Sequence, residues 1–93
     1  MRTIQPIRAF RRDLRRVKSS ARYRAVDDLL TPLLEALAND QPLPPSNRDH
    51  ALSGEWADHR ECHVRPDLLL IYRKPDADTL QLVRLGSHSD LFG

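Results

Sequence analysis

A single cysteine, five aromatic side chains and no apolar run longer than Leu68 to Tyr72 occur in 93 residues, and each scarcity closes off a class of protein. The lone Cys62 rules out an intrachain disulfide and any zinc site built from several cysteines. Stability must then come from packing, and a free thiol fits a cytosolic setting. The apolar run is far short of the roughly 20 residues that span a bilayer, and no apolar stretch follows the first basic residues as a secretory signal would require. The reading is a soluble, cytoplasmic chain without membrane contact. At 10.7 kDa, residues 1–93 form one small domain with a single modest core.

Net charge is only +2, yet it is unevenly divided. Up to Arg24, nine Arg or Lys stand against one acid, Asp13, while the rest of the chain carries six bases and twelve acids. A positive pole on one element is the footprint of a nucleic-acid binder, because each phosphate neutralised releases counterions. The plainer reading is a solvated helix face. Arg8, Arg11, Arg12, Arg15 and Arg16 are the candidates for phosphate contact, and arginine suits that role better than lysine through its planar fork of donors.

Phe10, Leu14 and Val17 recur at spacings of four and three, which predicts an amphipathic helix from about Ile7 to Ser19. Tyr23, Val26, Leu29, Leu30, Leu33, Leu34 and Leu37 form a wider stripe and predict a second helix from about Tyr23 to Asn39. Ser19 and Ser20 between them read as turn and N-cap, so the two helices form a hairpin. Pro32 cannot donate to the Asp28 carbonyl, and Thr31-Pro32 also reads as N-cap and N1. Because the leucine stripe keeps its phase, a kinked helix is expected.

Pro42, Pro44 and Pro45 predict an extended loop over Gln41 to Asn47. Three strands follow, at about Asp58–Val64, Leu68–Arg73 and Thr79–Leu85. The middle one is apolar on both faces, as a central covered strand would be. The fold class is α+β, an N-terminal helical hairpin packed on a small antiparallel β-sheet.

The chemistry gathers in the second half. His50, His63 and His88 are accompanied by Asp49, Glu61, Asp67, Asp90 and Arg84, and histidine alone titrates near neutral pH without help. Cleaving RNA without a metal requires a base for the ribose 2′-hydroxyl, an acid for the leaving 5′-oxygen and a cation for the phosphorane. His50, His63, Asp67, His88 and Arg84 can supply them. Asp67, across a tight turn from His63, could orient that ring. Arg84, sharing a strand face with Leu80 and Leu82, could equally be a snorkelling edge residue or a structural ion pair. Phe92 beside His88 offers a platform for base stacking, or else a hydrophobic plug. His59, Glu61 and His63 share a strand face, which would suit a two-histidine-one-carboxylate metal site. Such pairs on a solvated strand are commonly just a polar face, and neither a metal nor another cofactor is assigned. Trp56 reads as a loop anchor and Cys62 as a small buried residue.

Taken in order, Arg48-Asp49-His50, Leu52-Ser53-Gly54, Arg60-Glu61-Cys62-His63, Pro66-Asp67-Leu68-Leu69-Leu70-Ile71-Tyr72-Arg73 and Arg84 to Phe92 resemble the YafQ family of type II toxins, in the RelE/ParE superfamily. The likeness is close over Leu43 to Phe92 and holds only in pattern for the helical hairpin. It implies a RelE-like fold with a short first strand near Arg2 to Ile4. It also implies a ribosome-dependent mRNA endoribonuclease that cuts A-site codons by in-line attack of the 2′-hydroxyl. A DinJ-like antitoxin would silence it, as a heterodimer or heterotetramer that reaches operator DNA through the antitoxin. The active set carried over is His50, His63, Asp67, His88 and Phe92, with Arg84 at the phosphate and the basic helix on ribosomal RNA. His59 stands where the family usually has an aromatic, Leu68 where tryptophan is frequent, and Pro32 is atypical. Within the superfamily the alternatives are a ParE-like gyrase inhibitor and a non-catalytic co-repressor acting with its antitoxin. A gyrase inhibitor would leave the three histidines unexplained, whereas co-repression can coexist with catalysis.

Overall fold

The computed structural model describes all residues from Met1 to Gly93. Strand β1 (Thr3–Pro6) leads into helix α1 (Arg8–Lys18) and helix α2 (Val26–Ala38). Strands β2 (His50–Ala51), β3 (Arg60–Arg65), β4 (Leu68–Arg73) and β5 (Thr79–Gly86) follow, then a short helix α3 (His88–Phe92). The sheet order is β1-β5-β4-β3-β2. Every pair is antiparallel except β1 with β5, which run parallel. The expected all-antiparallel sheet is therefore a mixed one. A parallel neighbour needs a long crossover, and the helical hairpin begins that crossover while covering one face of the sheet.

Two apolar clusters sit on opposite faces. On the helical side Phe10, Val17, Val26, Leu30, Leu33 and Leu37 pack on Cys62, Leu70, Tyr72, Leu80, Leu82 and Leu85. On the other side Leu69, Ile71, Val83 and Leu91 form a smaller cluster flanked by Trp56 and Phe92. The run Leu68–Tyr72 divides between the two faces, which is why it is apolar throughout. Cys62 is fully buried, and burial pushes its thiol up to about 12.

The helices depart from expectation at their junction. Tyr23 belongs to a 3₁₀ turn, Ala21–Tyr23, whose N-cap Ser20 accepts from the Arg22 amide. Helix α2 begins at Val26 with Asp27 and Asp28 in its first turn, where carboxylates suit the helix dipole. It runs through Pro32 as one span; Thr31 lies inside it and donates its hydroxyl to the Asp27 carbonyl at 2.9 Å. Pro32 and Asp28 are both exposed, so water can reach the carbonyl that proline leaves without a donor. The proline-rich loop is not wholly extended either. Pro45–Asn47 makes a 3₁₀ turn with proline at its start, a position that needs no amide hydrogen.

Candidate active site

The face opposite the helical hairpin carries the polar groups. Cross-strand pairing sets His50 beside Glu61, Glu61 beside Ile71 and Ile71 beside Arg84, one row across four strands. His63 pairs with Leu69, and Leu69 with Gly86, in the next row. Alternation along β3 accounts for the sidedness: Glu61 and His63 point to this face, whereas Cys62 and Val64 join the core beneath the helices.

The His50 and His63 imidazoles are each oriented by a backbone carbonyl. His50 Nδ1 lies 2.6 Å from the Arg48 oxygen, and His63 Nδ1 lies 3.3 Å from the Pro66 oxygen. A carbonyl can only accept, so both rings carry hydrogen on Nδ1, and both turn Nε2 toward Glu61. Between the two Nε2 atoms stands Glu61, only 5% exposed, with Oε1 at 3.5 Å from His50 and 3.7 Å from His63. A proton arriving on either Nε2 would meet this carboxylate. The β2 segment that carries His50 is fixed by Asp49, which accepts from Arg60 at 3.2 Å and from the buried Tyr72 hydroxyl. Burial and then the Asp49 hydrogen bond raise the Tyr72 phenol well above its ordinary value. Asn47 adds a 2.7 Å bond to the His63 carbonyl.

Helix α3 supplies the opposite wall. Ser87 caps it by accepting from the Asp90 amide at 3.1 Å, while the Asp90 carboxylate accepts from the Ser87 amide at 3.0 Å. This reciprocal pair stops the fraying expected of so short a helix, and the two Ser87 hydrogen bonds lower the Asp90 pKa. A cleft of about 520 Å³ lies between α3 and β3, lined by Glu61, His63, Pro66, Asp67, Leu69, Ser87, His88 and Ser89. His63 and His88 thus share one cleft, joined to His50 through Glu61. Phe92 tilts against His88 with ring centroids 5.0 Å apart and meets Trp56 edge-on at 6.0 Å. Trp56 anchors its loop as expected and also buttresses Phe92.

Two side chains sit differently from the sequence reading. Asp67 lies on the cleft rim but does not orient His63. Its carboxylate accepts from the Tyr23 hydroxyl and pairs with Arg22 at 2.8 Å, and the Tyr23 hydrogen bond leads the causes that lower its pKa. The Pro66 carbonyl takes the ring hydrogen instead. Arg84 leaves the Leu80 and Leu82 face because β5 carries a bulge: Leu82 opposes Tyr72, Arg84 opposes Ile71, and Val83 is extra. Its guanidinium is bound by Asp13 and is not among the cleft-lining groups.

On α1, Arg8, Arg11, Arg12 and Arg15 are exposed. Arg16 is also tied inward, donating to the Leu85 carbonyl at 3.2 Å and lying 3.5 Å from Asp90. Gly86 permits this, since a Cβ there would stand 3.1 Å from both Arg16 Nη2 and Asp90 Cβ. His59 turns away from Glu61, bonding the Ala57 carbonyl and packing edge-on to Trp56 at 5.3 Å. Hence His59, Glu61 and His63 do not converge, and no group of three or more His, Cys, Asp or Glu has metal-holding geometry.

The partnership of Glu61 with two histidines and the roles of Asp13 and Tyr23 escaped the sequence reading. Asp13 carried a usable signal, a lone acid on the stripe of Phe10 and Val17. Ser87 to Asp90 likewise matches the capping-box spacing that announces α3.

A mixed sheet with a helical hairpin on one face is the fold of RelE-like type II toxins. Residues 2–93 match the family described as the bacterial toxin of type II toxin-antitoxin system, YafQ, and the chain belongs to that family. The mRNA interferase toxin YafQ of Escherichia coli K12 is 38% identical over 72 residues, 77% of each chain. YafQ in the E. coli DinJ-YafQ complex superposes with a TM-score of 0.83 at 31% identity, covering all of both chains. A metal-bound toxin from Helicobacter pylori gives a TM-score of 0.84 at 47% identity, covering 99% of this chain and 100% of that one. No helix is long and apolar enough to cross a membrane.

Proposed function

We propose that residues 1–93 act as a single-domain mRNA interferase in the cytoplasm, cutting the A-site codon of translating ribosomes by acid–base chemistry from side chains alone. The observation that carries this reading is the cleft shared by His63 and His88, with Glu61 linking His63 to His50. A neutral imidazole accepts the ribose 2′-hydroxyl proton at Nε2, and O2′ attacks phosphorus. The P–O5′ bond then breaks as a protonated imidazole gives its proton to O5′, leaving a 2′,3′-cyclic phosphate and a 5′-hydroxyl. Glu61 receives the hydrogen bond of the protonated ring.

Arg84 offsets charge on the phosphorane, Asp67 holds the cleft rim, and Phe92 stacks on a base, a contact worth about 1–3 kcal/mol. The arginines of α1, Arg8, Arg11, Arg12, Arg15 and Arg16, bind ribosomal RNA. A DinJ-like antitoxin, the partner in the crystallised E. coli complex, lays an acidic segment across that helix and links the toxin to operator DNA.

Cleavage mapping on a defined mRNA, with and without programmed ribosomes, tests the reading. Ribosome-dependent A-site cuts that persist under a chelator selective for transition metals, with Mg²⁺ retained to keep the ribosomes assembled, and that vanish in His88→Ala are expected. Because the H. pylori relative binds metal, loss of cleavage under the transition-metal chelator, restored by adding back the metal, would replace the metal-free mechanism. Absence of cuts under every condition would end the nuclease reading.

A further inference from the structure

Asp13 is the one acid among the basic residues of α1, and it is buried, 3% exposed. A buried carboxylate is tolerated only when donors replace its water, and here they come chiefly from one stretch of β5. Oδ2 accepts from Arg84 Nε at 2.6 Å and from the Leu85 amide at 3.0 Å. Oδ1 accepts from Arg84 Nη2 at 3.3 Å and Arg16 Nη2 at 3.4 Å. The Arg84 contact is a two-point fork, which fixes the plane of the guanidinium as well as its position. The Asp13 hydrogen bond leads the causes that raise the Arg84 pKa.

The fork uses two of five guanidinium N–H groups and leaves three free, both on Nη1 and one on Nη2. Arg84 lies in the cross-strand row that contains His50 and Glu61, two strands from Glu61, or roughly 10 Å at ordinary strand spacing. The bulge at Val83 turns its stem from the helical core toward this face.

We infer that Asp13 is a positioning residue for the nuclease: it grips the Nε edge of Arg84 so that the free edge is preset for the scissile phosphate. This rests on the reading of Arg84 as the phosphorane contact. The same α1 that presents exposed arginines outward thereby sets an active-site cation through its inner face.

The test is a double-mutant cycle with Asp13→Asn and Arg84→Ala, read as single-turnover cleavage on programmed ribosomes, with antitoxin affinity and thermal midpoint measured for each variant. Asp13→Asn keeps size and removes charge. A tenfold or greater loss of cleavage rate is expected, with half-saturation by ribosomes and antitoxin affinity within about twofold. In the Arg84→Ala background the same change should have no further effect on rate, since its target is gone. Equal losses with and without Arg84 would overturn the inference and leave Asp13 a packing residue. If Asp13→Asn does not fold, Asp13→Glu displaces the grip by one methylene while keeping the charge; an unchanged rate there is equally fatal. Should Arg84→Ala alone cleave at the wild-type rate, the phosphorane assignment fails and the positioning role with it, whereas a damaged Arg84→Ala beside an intact Asp13→Asn sinks only the role of Asp13.

Discussion

The Asp49–Tyr72 contact makes the sharpest energetic prediction. Tyr72 is 1% exposed and its hydroxyl donates to Asp49, which Arg60 also engages at 3.2 Å. Tyr72→Phe removes donor and desolvation cost together and leaves Asp49 paired with Arg60, so it should cost about 0.5–1.5 kcal/mol. Asp49→Ala leaves a buried hydroxyl with no acceptor, about 1–3 kcal/mol. The lost Arg60 pair adds at most about 1 kcal/mol, because both partners are partly exposed.

Asp49→Ala should therefore cost about 1–4 kcal/mol and lower Tm by roughly 5–30 °C in a domain of this size. Once Tyr72 is Phe, adding Asp49→Ala should cost at most about 1 kcal/mol, a coupling of about 1–3 kcal/mol. Urea denaturation of the four proteins measures each corner. Cleavage should fall further with Asp49→Ala than with Tyr72→Phe, since Asp49 adjoins His50. Additive costs, or a Tyr72→Phe more damaging than Asp49→Ala, would refute the orphan-hydroxyl argument.

Replacing Glu61 by Gln keeps its shape and removes the charge between the His50 and His63 rings; cleavage should drop about tenfold to a hundredfold, and a change within twofold would show Glu61 to be a bystander. Asp40 pairs with Arg2 at 2.8 Å and Lys74 at 2.7 Å, and these partners hold its pKa down to about 2 from 3.8. Its folded pKa being depressed, its stabilising effect is present above pH 4 and lost as pH falls toward 2. The Tm gap between wild type and Asp40→Asn should be open at pH 5 and closed near pH 2, and Asn tolerates the left-handed backbone there, φ 56°. Cys62, with its thiol pushed up to about 12, should resist a disulfide reagent at pH 8 until the chain unfolds; rapid labelling of the folded protein would contradict its burial. Glu substitutions at Arg8, Arg11, Arg12 and Arg15 should weaken ribosome and antitoxin binding and flatten the salt dependence of both, and unchanged affinities at physiological salt would end the electrostatic account.

Much of this was legible in the chain itself. Apolar spacing marks α1 and α2, the run Leu68–Arg73 coincides with β4, and alternation places Glu61 and His63 on one face of β3. These are local properties: helical and strand periods require no knowledge of distant residues. The order of motifs from Arg48 to Phe92 was likewise enough to indicate the family.

Local patterns could not say that β1 would lie parallel to β5, that a bulge at Val83 would re-aim Arg84, or that Asp67 would turn to Tyr23 rather than His63. Nor could they show that Glu61 would stand between two imidazoles, or that Asp13 would reach 71 positions along the chain to Arg84. Those outcomes depend on which elements pack together. A buried carboxylate takes whichever donors the packing brings within 3 Å, and chain order carries no record of that distance.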